Sequence, residues 1–292
     1  MTIIDKFFYP NAEGCKPLGN LKFDCGKEIP IYEISGIHAM VQLYGYAKYK
    51  LQSIGNVFIR GQCTLHKSCL PIYYRDKSKL SFPRIGTKFG NMIKALKSFK
   101  PLDTVPDYSI EPLLQHYGAQ TRWVDLVDNI WIALWFGAYK CRGVRQSNFM
   151  SYQRREVTDS SGASEYMYLL FTLSDATTEV KGSPGLFKGK STLLIDLRKS
   201  CPSVFQRPHM QHAILIRNRE ETSMQSVDMM SNVVAIAKIR VSLAHLWIGD
   251  SQTLRAETLF PQAYEDTGLR NLIECKIDTQ KCFASIGKLS YL

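Results

Sequence analysis

Residues 129–140 constrain this fold more than any other segment. Ile130, Trp131, Ile132, Ala133, Leu134, Trp135 and Phe136 follow one another without a polar interruption. A helix that is apolar all round has no face to offer water, so it is a buried helix. The apolar run ends by Tyr139 and falls short of the roughly 20 residues that a membrane-spanning helix needs. Its surroundings must therefore be protein. Asp128 or Asn129 is placed to cap its N-terminus. A chain of 292 residues is long enough to supply such a core without covalent staples.

The rest of the pattern supplies the elements around that helix. Residues 35–53 predict a helix with Ile37, Met40, Val41, Leu43, Tyr44 and Tyr46 on roughly one face. Val57, Phe58 and Ile59 predict a short strand ending at Arg60 and Gly61. Residues 89–99 predict a helix with Met92, Ile93, Leu96 and Phe99 inward and Lys94 and Lys97 outward. Residues 109–117 predict another, stopped by Gly118. Residues 1–30 read as irregular and residues 142–164 as a polar loop. Segments 166–172, 191–195, 213–216, 233–241 and 257–260 are rich in β-branched and aromatic residues and predict strands. The expected class is α+β, with a helical, basic N-terminal part packed on a β-rich C-terminal part.

Charge narrows the partners. The net charge is +11, and between residues 48 and 100 twelve Lys and Arg residues face one acid, Asp76. Such a stretch attracts polyanions. Phe58, Tyr73, Tyr74, Phe82, Phe89 and Phe99 are interleaved with it, so phosphate contact and base stacking are both available to an RNA or DNA partner. The alternative is a solvated basic face over core aromatics. No signal peptide is evident at residues 1–6. The eight scattered cysteines contain no CxxC pair, which fits reduced thiols and a cytoplasmic protein. Cys63, His66 and Cys69 lack an evident fourth ligand, and His209 and His212 form no obvious metal pair, so no metal is expected.

Two motifs carry a family resemblance. Ile59-Arg60-Gly61-Gln62 is one. Gln115-His116-Tyr117-Gly118-Ala119-Gln120-Thr121-Arg122-Trp123-Val124-Asp125, followed by residues 133–138, is the other. Together they closely resemble the FRG domain family. Arg207 and Gln211 have the spacing of that family's R-x-x-x-Q element, and Thr258-Leu259-Phe260-Pro261 is similar to its L-F-P segment. Departures occur at Ala119-Gln120, at His212-Ala213 and at Gln262. The resemblance spans about residues 58–261 and implies an N-terminal extension over 1–55, an FRG-type catalytic domain over 56–275 and a tail over 276–292, together one unit.

The same order resembles, more distantly, the Arg-Ser-Glu type of ADP-ribosyltransferase. That resemblance implies a mixed, mainly antiparallel β core and NAD as substrate. It implies NAD-dependent ADP-ribosyl transfer, and the basic 48–100 stretch adds an RNA or DNA acceptor. A toxin or anti-phage effector held in check by an antitoxin-like partner would suit that activity. Glu257 would stabilise the oxocarbenium-like transition state, with His116 and Arg122 shaping the nicotinamide or acceptor side. Arg60, Gly61, Gln62, Thr121, Asp125, Arg207 and Gln211 would hold the cofactor. Arg60 suits phosphate because its planar guanidinium forks onto an anion, and Gly61 would let a ligand approach the backbone. Each has a structural alternative: Arg60 or Arg122 paired with Asp125, His116 capping a helix, Glu257 on a surface. Other readings are a non-enzymatic nucleic-acid-binding or signalling module, an NAD glycohydrolase, and a nuclease using His116.

Overall fold

The computed structural model describes residue 9 and residues 12–75, 81–143, 150–156, 165–250, 252 and 254–274. In chain order these form β1 (Cys15–Lys22), β2 (Glu28–Ile34), α1 (Ile37–Leu51), β3 (Asn56–Gln62), α2 (Phe82–Leu96) and α3 (Asp107–Gln115). Then come β4 (Val124–Leu126), α4 (Ile130–Ala138), β5 (Tyr139–Gly143), β6 (Met150–Arg154), β7 (Tyr166–Ser174), β8 (Thr178–Glu179), β9 (Leu186–Lys188) and β10 (Thr192–Asp196). The chain continues through α5 (Leu197–Ser200), α6 (Gln206–Met210), β11 (Ile214–Asn218), α7 (Met224–Val227), β12 (Val233–Arg240), α8 (Val241–Trp247), α9 (Ala256–Leu259) and α10 (Thr267–Glu274).

The fold mixes α and β, with two five-stranded sheets. The first has the order β1-β2-β12-β7-β3 and the second β4-β11-β10-β9-β8. Pairing is antiparallel except between β2 and β12, which run parallel. Strand alternation decides what packs where. In β7, Met167, Leu169, Phe171 and Leu173 point toward α1, α4 and α8, while Leu170 points to the other sheet. In β11, Ile214 and Ile216 meet the first sheet, while Leu215 faces the α2 and α3 side. The result is two stacked sheets with helices on both outer faces.

A backbone bridge ties the two sheets at the cleft. Ile59 and Val127 exchange backbone hydrogen bonds of 2.9 and 2.8 Å, joining the end of β3 to the chain just after β4. Beyond that seam the sheets part, and the cleft described below opens there.

The apolar helix is α4. Trp135, Leu134 and Ala133 are fully buried, and the Asn129 side chain accepts hydrogen bonds from the Trp131 and Ile132 amides. Each large apolar side chain buried this way contributes about 1.5–3 kcal/mol. The enclosure is incomplete at Trp131, which is 40% exposed. Close packing of α4 on β3 requires a missing side chain: a Cβ at Gly61 would lie 1.9 Å from the Ala133 carbonyl oxygen.

Several elements differ from the sequence reading. Residues 15–34 are not irregular: they form β1 and β2, and β2 sits inside the first sheet. All of β1 after Cys15 is exposed, so it has no alternation to betray it. The strand carrying Arg60 and Gly61 continues to Gln62. α2 begins at Phe82, with proline in its first turn. Residues 150–154 pair with β5 instead of lying in a loop. Residues 257–260 are not a strand: Glu257 lies in the one-turn helix α9. Asp76, Lys77, Lys79 and the tail over 276–292 lie outside the described residues. No helix among the described residues is long and apolar enough to cross a membrane.

Candidate active site

A cleft of about 310 Å³ opens at the seam between the sheets. β3 brings Arg60 to it, β4 brings Asp125, the end of α3 brings His116, and α6 brings Arg207 and Gln211. Four of the cofactor-binding candidates with side chains and one catalytic candidate therefore meet in one place. Phe136, Tyr152 and Phe260 form an apolar wall, with the Tyr152 and Phe260 rings stacked at 4.5 Å.

The polar groups here are only partly satisfied. Arg60 donates from Nη1 to the Asp125 carbonyl at 2.9 Å, and its buried Nε has no partner. Arg207 is 1% exposed and donates from Nη1 to the His116 carbonyl at 3.2 Å. Its Nε and Nη2 are buried without partners, and no carboxylate pairs with it among the described residues. Instead its guanidinium lies over the rings of Tyr117 and Phe260, at 5.0 and 5.8 Å. Burial lowers its pKa, with Tyr117 and Asp266 opposing. An unpaired buried cation is costly, because desolvation is not offset by attraction to a counter-charge. A cleft lined by this buried guanidinium and by the partly buried Arg60 is suited to an anion.

His116 is held at the end of α3. The chain turns there through Gly118 at φ +97°, and the Ala119 amide donates to the Leu114 carbonyl at 3.0 Å. Only glycine adopts that conformation freely. His116 Nδ1 lies 2.8 Å from Gln211 Oε1, and Gln211 Nε2 donates to the Leu259 carbonyl at 2.7 Å. His116 Nε2 and Asp125 Oδ1 face each other at 3.6 Å, beyond hydrogen-bond distance, and both are buried without a hydrogen-bond partner.

Other candidates sit elsewhere. Arg122 is enclosed in a buried ion pair: Nε and Nη2 meet Glu111 at 3.1 and 2.6 Å, and Nη1 meets Glu221 at 3.0 Å. Its guanidinium stacks 4.4 Å above Phe89, and it does not line the cleft. Its role is to tie α3 to the chain after β11. The Thr121 hydroxyl bonds Gln115, and its carbonyl accepts from the Tyr73 amide, so it shapes the loop from behind. Gln62 does not line the cleft. Gly61 does, but its missing side chain makes room for α4, not for a ligand. Glu257 is exposed on α9, away from the cleft, whose one lining carboxylate among the described residues is Asp125.

Three cleft contributors carried no sequence signal. Tyr152 lies where a loop was expected, and burial raises its pKa well above the usual phenol value. Pro71 and Ile72 reach the rim from the segment before α2. Of the interleaved aromatics, Tyr73, Tyr74 and Phe89 are buried and so are closed to base stacking. Arg84, Lys88 and Lys94 remain exposed along α2. The Cys63 thiol lies 3.1 Å from the Tyr139 carbonyl, and Cys69 is buried. Among the described residues no group of three or more His, Cys, Asp or Glu is placed to hold a metal ion. Comparison with family models, curated proteins and solved structures finds no match to this chain.

Proposed function

We propose that the cleft binds a phosphorylated nucleotide, NAD in the first instance, and that the protein transfers ADP-ribose from it to a nucleic-acid acceptor. The observation that carries this reading is the set of unpaired buried groups in one cleft: Arg60 Nε, Arg207 Nε and Nη2, His116 Nε2 and Asp125 Oδ1. The arginines suit the diphosphate. The wall of Phe136, Tyr152 and Phe260 suits a planar ring. Cleavage of the nicotinamide–ribose bond develops positive charge on the ribose, and Asp125 takes the stabilising role that the resemblance gave to Glu257. The transferase-like resemblance supports the choice of NAD. Exposed Arg84, Lys88 and Lys94 on α2, which follows the rim segment 71–75, suit the phosphates of an acceptor strand.

One observation favours a second reading. The late glutamate of the transferase pattern lies outside the cleft, which leaves a pocket that could grip a phosphorylated ligand without turning it over. Incubation of the full chain with phosphate-labelled NAD and separate DNA, RNA and protein pools distinguishes the two. The transferase reading expects label on nucleic acid, lost in Asp125→Asn and kept within about two-fold in Glu257→Gln. Nicotinamide release without transfer would identify a glycohydrolase. Salt-sensitive binding without turnover would identify a binding module. Label transfer lost in Glu257→Gln and kept in Asp125→Asn would overturn the assignment of the carboxylate.

A further inference from the structure

We propose that Gln211 is a positioning residue that fixes His116 in the tautomer protonated at Nδ1, so that Nε2 presents a lone pair to the cleft as its proton acceptor. The assignment follows from donors and acceptors. The Leu259 carbonyl can only accept, so the Gln211 group facing it at 2.7 Å must be the amide NH₂. The other end of the amide is then the oxygen, which also can only accept. It lies 2.8 Å from His116 Nδ1, so Nδ1 must carry the proton. The neutral ring has one proton, which leaves Nε2 bare. Reversing the Gln211 amide would set two carbonyl oxygens against each other.

The competing influence is Asp125, which would favour a proton on Nε2. Its Oδ1 is 3.6 Å away, outside the 2.7–3.2 Å range of an N–H···O bond, whereas the Gln211 contact lies within it. Among the described residues, the charged and titratable groups that line the cleft with the ring are Asp125 from β4, Arg60 from β3, Arg75 from the segment before α2, Arg207 from α6 and Tyr152 from β6. Gln211 has no charge, so its hold on the ring does not change with pH. The arrangement also links features far apart in the chain: His116, Gln211 four residues beyond Arg207, and Leu259 next to Phe260 on the cleft wall.

The chemical consequence rests on the transferase reading. His116 Nε2 takes the proton of the acceptor hydroxyl as that oxygen bonds to the ribose C1′. The C1′–nitrogen bond breaks, its electron pair returns to the pyridinium ring, and neutral nicotinamide leaves. The imidazolium faces Asp125 until it releases the proton to water.

The test is nitrogen-15 NMR of the imidazoles in the full chain, with the His116 signals identified by their loss in His116→Asn. In the wild type the neutral ring is expected to carry its proton on Nδ1. Gln211→Leu is expected to shift the population toward Nε2–H, and Gln211→Glu, which still offers Nδ1 an acceptor, is expected to keep it. A neutral wild-type ring protonated at Nε2 would overturn the proposal even if no variant folded. So would a tautomer unmoved in Gln211→Leu. If label transfer is found, Gln211→Leu should lower kcat by about 100-fold with KM nearly unchanged, the order of a general-base contribution. The tautomer is read without NAD, so failure of the transferase reading leaves this result standing, and the reverse also holds.

Discussion

Replacing Arg207 with leucine should weaken ligand binding about 10- to 100-fold while leaving the free protein about as stable as before. Arg207 is 1% exposed, yet among the described residues its one side-chain hydrogen bond is from Nη1 to the His116 carbonyl, and its Nε and Nη2 have none. The substitution removes that bond, which is worth about 1.5–3 kcal/mol for a charged donor. It also removes the ring contacts with Tyr117 and Phe260, worth up to about 2 kcal/mol in a desolvated setting. Against this, it relieves the desolvation of an unpaired guanidinium, a penalty of several kcal/mol. The two sides nearly cancel, so unfolding free energy should change by about 1 kcal/mol or less. Had Arg207 been one half of a buried ion pair, loss of the partner would cost about 3–5 kcal/mol. Urea unfolding of wild type and Arg207→Leu, each with and without NAD, measures both quantities. NAD at 100 times the wild-type Kd should add about 2.7 kcal/mol to the wild type and only about 0.4–1.4 kcal/mol to the variant. A loss of 3 kcal/mol or more in the unliganded variant would refute the reasoning, because Arg207 would then be a structural residue.

Glu111→Ala should cost about 3–5 kcal/mol in urea unfolding, since it strips Arg122 of its bidentate partner in a buried setting. Gly61→Ala should destabilise by at least about 1–3 kcal/mol, because the new Cβ falls on the Ala133 carbonyl, a backbone atom of α4 that has little room to move. Acid should act partly through Asp128 and Asp175. Burial disfavours the charge on each, but hydrogen bonds from Arg198 and His212 to Asp128, and from Thr192 and Ser191 to Asp175, together hold both carboxyls below their ordinary value. A depressed folded pKa means that the stabilisation is complete above the unfolded value of about 3.9 and is lost as pH falls through the lower folded value. Unfolding midpoints followed from about pH 5 to pH 2 should therefore fall, and fall less steeply in Asp175→Asn.

The parts legible in the sequence were those encoded locally. α4 and its Asn129 cap could be read because an unbroken apolar run allows only one environment. Gly118 marked the end of α3 because a left-handed residue there nearly demands glycine. Arg60, His116, Asp125, Arg207 and Gln211 could be nominated because their motifs are compact. Pairings across long separations could not be read. Arg122 looked like a cleft cation because its partners lie 11 and 99 residues away, and only the fold brings Glu111 and Glu221 to it. Glu257 reads as part of a strand because Leu259-Phe260 is a short apolar run, and periodicity cannot separate strand from helix over so few residues. β1 escaped notice because an exposed edge strand has no buried face to impose alternation. The glycine of the Arg-Gly pair reads in sequence as room for a ligand, although the helix behind it is what needs the space.

The central claim is that Arg60 and Arg207, from different layers of the fold, hold one anionic ligand in the cleft between the sheets. Calorimetric titration of NAD into the full chain, Arg60→Ala and Arg207→Leu tests it most directly. The account predicts measurable binding by the wild type and a loss of about 10- to 100-fold in each variant, the equivalent of one charge-assisted hydrogen bond apiece. Equal affinities in all three proteins, or binding by none of them, would contradict it.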